Sequence, residues 1–213
     1  MKLSKKTRKN LKQAIIKNRH LVKKYPWLKP WRRWHRGREQ YGWDKRWRYH
    51  YTSWDGIPDG WNKAFGDMML EELNDEIKRS HLRDFRIVDM KEKWGRLQVD
   101  VSGFNDEILH IIDKYEALSQ NICAVCGKPD VFVTKDGWIY PLCYECYKKY
   151  WIRDTELLNK EIWQKYEKSI GKDADNMMAS VITKRINGKE IQIDISETAE
   201  KIRQRYYRRK NND

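Results

Sequence analysis

The chain has 213 residues, 39% hydrophobic and 36% charged, with a formal net charge of +14. That allows one medium domain, or one core with appendages. No run approaches the ~18 apolar residues of a membrane span, and the apolar patch from Leu11 to Ile16 is cut by Lys12 and Gln13, against a secretory leader. The expectation is an intracellular protein, not membrane-bound, in which thiols stay reduced and paired cysteines favour a metal over a disulfide.

The charge is unevenly placed. Residues 1–50 carry +16 and the remainder −2, while Glu200 to Asp213 alone carry +4. Both ends are basic and the middle is mildly acidic, the pattern of arms for a polyanion. Residues 1–24 read as a basic amphipathic helix. Residues 25–57 are crowded with aromatics and Arg and punctuated by Pro26, Pro30 and Pro58, which disfavours long helices.

A folded core begins near Gly60. Trp61, Phe65, Met69, Leu73 and Ile77 recur every four residues, which predicts a helix with one buried stripe. Two strands, 85–90 and 96–101, follow around a short turn bearing Gly95, with Leu97, Val99 and Val101 alternating with polar residues. Asn105 is placed to cap a second helix, Phe104 to staple onto Leu109, and Ile108, Ile111, Ile112, Tyr115 and Leu118 to form its inner face. Beyond the cysteines, apolar spacing predicts a helix up to Gly171. Strands 181–186 and 189–195 then flank the hairpin dipeptide Asn187-Gly188, and Ser196 caps a short basic helix.

The four cysteines form two matched pairs, Cys123-x-x-Cys126 and Cys143-x-x-Cys146, with none left over. Each C-x2-C turn places two thiolates on one side of a tight loop, and two such turns complete a tetrahedron around one Zn2+ ion. Gly127 suits the chain reversal after the first pair. A hairpin, 131–134 and 138–142, lies between the pairs, and a helix begins at the second. Knuckle, hairpin and ligand-bearing helix make the treble-clef order. The expected fold is therefore α+β: a small α-β-β-α core (58–120) packed on a treble-clef zinc finger with its following helix (121–171). A basic arm (1–57) precedes it, and a β-hairpin with a basic helix (172–213) follows.

Four ligands close the coordination sphere, so the ion serves structure rather than catalysis. His-metal nucleases place histidines within such a finger. Here His20, His35, His50, His81 and His110 all precede Cys123, so the chain reads as a non-enzyme. Asp89, Glu92 and Asp100 read as the solvated face of the sheet.

The run from Trp31 to Arg38 interleaves indoles with guanidiniums. Trp31 and Trp34 are candidates to stack on bases, and Arg32, Arg33, Arg36 and Arg38 to hold phosphates. Lys5, Lys6, Arg8 and Lys9, and Arg208 and Arg209 near the other end, add cationic contacts. Trp54 and Trp61 are expected in the core instead.

Several pieces together resemble a family of phage and prophage proteins of unassigned activity. They are Tyr25-Pro-Trp-Leu28, Ile57-Pro-Asp-Gly-Trp61, Ala64-Phe-Gly66, Arg86-Ile-Val, Lys91-Glu-Lys-Trp-Gly-Arg-Leu97, Tyr115-Glu-Ala-Leu-Ser119, Cys123-x-x-Cys126-Gly-Lys-Pro129 and Gly137-Trp-Ile-x-Pro-Leu-Cys143-x-x-Cys146. The likeness spans about residues 25–150 and implies a phage origin and a zinc module fused to a small α/β unit, with no catalytic residues to carry over. The expectation is a phage accessory protein in the bacterial host's cytoplasm, binding RNA, DNA or a ribonucleoprotein. Two other readings stay open: a binder of a bacterial host protein that inhibits defence or transcription, and a component of the virion or its assembly.

Overall fold

The computed structural model describes residues 4–30, 32–35, 38–41, 48–133, 140–150, 181–186 and 189–212. Helix α1 spans Lys5–Lys24. Ser4 caps it, its hydroxyl accepting from the Thr7 N–H at 3.1 Å, and Pro26 ends it by starting a 3-10 turn, Pro26–Leu28. Only Asn18 is fully buried in α1, although Leu21 and Val22 pack against the core. Asn18 Nδ2 donates to the Tyr49 carbonyl (3.1 Å) and to Asp55 Oδ2 (3.2 Å), fastening the second half of α1 to the 49–55 segment. There Asp55 also accepts from the Thr52 N–H at 2.7 Å, closing a capping box around the turn Ser53–Gly56. The aromatic arm holds one element with no counterpart in the sequence reading, an antiparallel hairpin of β1 (Arg32–His35) and β2 (Arg38–Tyr41).

Helix α2 (Asp59–Trp61) runs through a π-turn, Asn62–Gly66, into α3 (Asp67–Arg79). Trp61, Phe65, Met69 and Leu73 are buried as their spacing requires. Strands β3 (Arg86–Lys93) and β4 (Arg96–Ser102) pair antiparallel, with an irregularity between Ile87 and Asp89. The turn is two residues, Trp94 (φ 51°) and Gly95 (φ 75°), both in the left-handed region that such hairpins demand. Trp94 consequently points to solvent, 75% exposed.

Helix α4 (Asp106–Ser119) starts where expected, with Asn105 Oδ1 accepting from the Ile108 N–H at 3.0 Å. Phe104 is largely exposed. Asn105 also donates to Glu76 Oε1 (2.9 Å) and Ser80 (3.0 Å), joining the start of α4 to the end of α3. Along the unpaired side of β4, α4 supplies acceptors. The Leu97 N–H donates to Ser119 Oγ (2.8 Å) and the Val99 N–H to Glu116 Oε1 (3.0 Å), with Arg96 paired to the same carboxylate. A two-stranded sheet thereby has its outer edge satisfied by side chains.

Strands β5 (Phe132–Val133) and β6 (Pro141–Leu142) and helix α5 (Tyr144–Tyr150) form the cysteine-bearing region. The helix expected up to Gly171 lies, beyond Tyr150, outside the described residues. Strands β7 (Val181–Ile186) and β8 (Lys189–Asp194) pair antiparallel, Ile186 opposite Lys189, and the turn expected at Asn187-Gly188 lies outside the described residues. Helix α6 (Ser196–Asn212) follows and is 17 residues long rather than short. Ser196 is its first helical residue rather than its cap. Asp194 Oδ1, two residues upstream, accepts from both the Ser196 N–H (2.9 Å) and its hydroxyl (2.6 Å). The main core gathers Tyr25, Trp27 and Leu28, Trp54, the α3–β3–β4–α4 interior, and Ile195, Ala199 and Ile202. Among the described residues no helix is long and apolar enough to cross a membrane.

Candidate metal centre and cationic surfaces

The first cysteine pair sits in a knuckle closed by its own backbone. The Gly127 N–H donates to the Cys123 carbonyl and the Cys123 N–H to the Lys128 carbonyl, both at 2.8 Å. Gly127 takes φ +82°, and a Cβ there would lie 2.7 Å from the Gly60 carbonyl oxygen, so both turn and close approach call for glycine. The second pair comes from β6 and α5. Cys143 directly follows the strand, Cys146 lies in the first turn of the helix, and the Tyr147 N–H donates to the Cys143 carbonyl at 2.9 Å. The Ala124 N–H, bonded at 2.9 Å to the Pro141 carbonyl, fixes one pair against the other.

All four Sγ atoms lie within 4.8 Å of one another, with Cys126 and Cys143 at 3.6 Å. Sulfurs bound tetrahedrally at ~2.3 Å stand about 3.8 Å apart, whereas a disulfide needs ~2.05 Å. The cluster therefore fits one tetrahedral ion, and all four cysteines are free thiols. Cys123, Cys143 and Cys146 are buried with Val131 and Leu142 in a small core of their own. Cys123 is held down to about 2 by the hydrogen bonds it accepts from Cys126 and then Cys143. Cys126 is pushed up to about 12, chiefly by donating to Cys123, and Cys143 is pushed up for the same reason. Burial first, then the Cys123 charge, raises Cys146 to about 12. Protons alone leave this cluster with one anion among four crowded sulfurs. A dication at this point would offset two of the four negative charges of a tetrathiolate and, by binding, contribute folding energy.

The knuckle rests directly on the core. The Gly60 N–H donates to the Ala124 carbonyl at 2.8 Å, and Trp61 Nε1 donates to the Ile122 carbonyl at 2.9 Å. Helix α6 grips the other side: Arg203 forks Asp130 through Nε (3.0 Å) and Nη2 (2.9 Å), and Arg205 reaches Asp67 at 2.7 Å. Cys126, the one partly exposed cysteine, lines a cavity of about 360 Å³ with Lys63, Arg205, Tyr206, Arg209 and Lys210.

The remaining sequence-selected residues distribute as follows. Lys5, Lys6, Arg8 and Lys9 are exposed on the first turns of α1. Arg32, Arg33 and Trp34 fall on β1 and Arg38 on β2, with side chains outside the described set; Trp31 and Arg36 lie outside the described residues altogether. Arg208 and Arg209 are exposed on α6, where Arg209 donates to the Lys63 carbonyl at 2.8 Å. Trp54 and Trp61 are core residues. Asp89 and Asp100 face each other across the hairpin, but Asp89 pairs with Lys91, Asp100 accepts from Gln98 at 3.3 Å, and Glu92 accepts from the Gly95 N–H at 2.7 Å. The four cysteines are the one metal-competent cluster among the described residues. Sequence reasoning missed the Arg203–Asp130 clamp and the buried amide of Asn74, neither of which has a local signature.

Fold and site together define an α+β protein carrying a four-cysteine cluster that could hold a metal ion. No family model, no curated protein and no solved structure matches the chain.

Proposed function

We propose that this chain is a non-enzymatic phage accessory protein. A single zinc ion, held by Cys123, Cys126, Cys143 and Cys146, locks a treble-clef finger onto the core, and the cationic helix α1 binds nucleic acid, RNA or DNA, free or within a ribonucleoprotein. The treble-clef assignment rests on the order of knuckle, short hairpin and ligand-bearing helix. Four thiolates favour zinc among common ions and leave no open position for water.

One observation carries the nucleic-acid reading. Helix α1 holds nine Lys or Arg residues and no Asp or Glu. Its first turn bears Lys5, Lys6 and Arg8, at the end where the helix dipole is already positive. Among the described residues, no carboxylate pairs with Lys5, Lys6, Lys9 or Lys12, whereas Lys17–Asp55 and Lys24–Glu71 are ion pairs farther along the helix. A helix so loaded is self-repelling, and a polyanion laid along it removes the repulsion. Arg208 and Arg209, exposed on α6, add cationic side chains at the other end of the chain.

Electrophoretic mobility shift at varied ionic strength tests this. Contact with about six phosphates weakens binding roughly a thousandfold between 50 and 200 mM salt. Binding indifferent to salt, or a single stoichiometric host protein captured from nuclease-treated lysate, overturns it.

A further inference from the structure

A second cavity opens where α1 ends. It holds about 470 Å³, inside the ~300–1,000 Å³ range of sites that take small organic groups. Its apolar lining comes from Pro26, Trp27, Ile77, Leu82 and Phe85, the Trp27 and Phe85 rings packing edge to face at 5.5 Å. Cations line it too. Lys24 pairs with Glu71 and Arg86 with Asp84, but Lys23, Lys78 and Arg83 have no carboxylate partner among the described residues.

Two buried polar side chains line the same groove without a bond. Asn74 is 9% exposed, and its amide makes no hydrogen bond among the described residues. Trp27 is 7% exposed, and its indole N–H is buried with no acceptor. The Trp27 N–H is an orphaned buried donor, uncommon because it is destabilising, while the unbonded Asn74 amide keeps access to the groove. An uncommitted amide on an apolar lining, among three uncommitted cations, is what a ligand entering the groove meets. The ligand needs a flat apolar body, an edge that both donates to and accepts from an amide, and a negative flank.

We infer that this groove holds one unpaired nucleotide of a single-stranded nucleic acid. The base lies against Ile77 and Leu82 with its edge on the Asn74 amide, and the phosphate sits by Lys23, Lys78 and Arg83. Asn both donates and accepts, as a base edge requires, and unpaired bases are the part of a strand that can be splayed into such a site. The inference rests on the nucleic-acid reading of α1 and extends it. Lys23 and Lys24 are the last turn of that helix, so a strand tracking α1 passes the groove mouth.

The test is fluorescence anisotropy on the full zinc-bound chain, with a short labelled oligouridylate or oligothymidylate and a duplex of equal charge. Asn74→Leu keeps the wild-type Tm or raises it, because no hydrogen bond is lost, and weakens single-strand binding about tenfold while leaving duplex binding unchanged. Lys78→Gln with Arg83→Gln flattens the single-strand salt slope by roughly 1.4, at ~0.7 per lost phosphate contact. Unchanged single-strand affinity in a folded Asn74→Leu chain overturns the groove assignment while the α1 reading stands. A wild-type chain that binds neither probe overturns the α1 reading and the groove with it. Oligoglutamate that binds more tightly than the strand, and loses its affinity in Asn74→Leu, overturns the assignment in favour of an acidic protein partner. Should Asn74→Leu fail to fold, photocrosslinking of a 4-thiouridine strand to the wild type decides: adducts in the 74–86 segment support the site, and adducts confined to the first turns of α1 overturn it.

Discussion

Alanine at position 60 is expected to unseat the Cys123–Cys126 knuckle. A Cβ built on Gly60 stands 2.2 Å from the Cys123 carbonyl oxygen and 2.6 and 2.7 Å from the carbonyl carbon and oxygen of Ala124. All three are backbone atoms, so no rotamer change relieves them, and either α2 or the knuckle must move by about an ångström. Overpacking of this kind destabilises by about 1–3 kcal/mol. The same movement stretches the Gly60–Ala124 hydrogen bond, now 2.8 Å, worth ~0.5–1.5 kcal/mol. Helix propensity opposes both terms, because Gly60 lies within α2, where Ala is favoured by ~1 kcal/mol. The balance for Gly60→Ala is a loss of about 1–3 kcal/mol, read as a lower urea midpoint at unchanged slope, together with faster metal release to a chelator. A variant more stable than wild type would show that propensity had won, and that the knuckle is not seated on Gly60.

Elemental analysis of the purified chain is expected to return one zinc per molecule. Its removal should raise hydrogen exchange across 122–131 and 140–147, since zinc supplies ~10–16 kcal/mol to small fingers; unchanged exchange after stripping contradicts a structural role. Ser119→Ala leaves the buried Leu97 N–H without an acceptor and should cost about 1–3 kcal/mol. Glu116→Ala does the same to Val99 and also frees Arg96, whereas Glu116→Gln retains an acceptor and should be milder by urea titration; equal losses would contradict the edge-capping role. Glu76 is held below its ordinary 4.5, first by the hydrogen bond from Ser80 and then by those from Asn105 and Arg79, against the opposing effect of burial. Its folded form binds fewer protons than its unfolded form, so the stability it contributes is present above pH 4.5 and drains away as pH falls through the lower folded value. Glu76→Gln should flatten the Tm–pH curve on that acid side, and a steeper curve would refute the assignment.

The parts of this molecule that could be read from its sequence are those whose partners are neighbours in the chain. The cysteine pairs announce themselves because C-x2-C geometry is local. The stripe from Trp61 to Leu73, the Asn105 cap and the Trp94-Gly95 turn are local too, each decided by periodicity or by one φ angle. The β1–β2 hairpin has no such signal, because Arg32-Arg-Trp-His35 and Arg38-Glu-Gln-Tyr41 carry no alternation of apolar and polar residues. Ser196 misleads because Asp194, two residues earlier, takes the hydrogen bonds a cap would make. Asn74 sits among helix residues of unremarkable type, and its burial depends on where Trp27 and Phe85 arrive from elsewhere in the chain.

Helix α6 places a demand on biosynthesis. Its ties to the rest of the protein are very long in sequence: 73 residues from Arg203 to Asp130, 138 from Arg205 to Asp67 and 146 from Arg209 to Lys63. Ala199 and Ile202 of the helix, with Ile195 just before it, fill the same interior as Phe65 and Tyr115. While a ribosome is still adding residues before 195, that interior has an apolar breach, and the nascent chain must remain soluble with it open until α6 emerges and seals it. Basic segments that keep the growing chain strongly charged suit that interval.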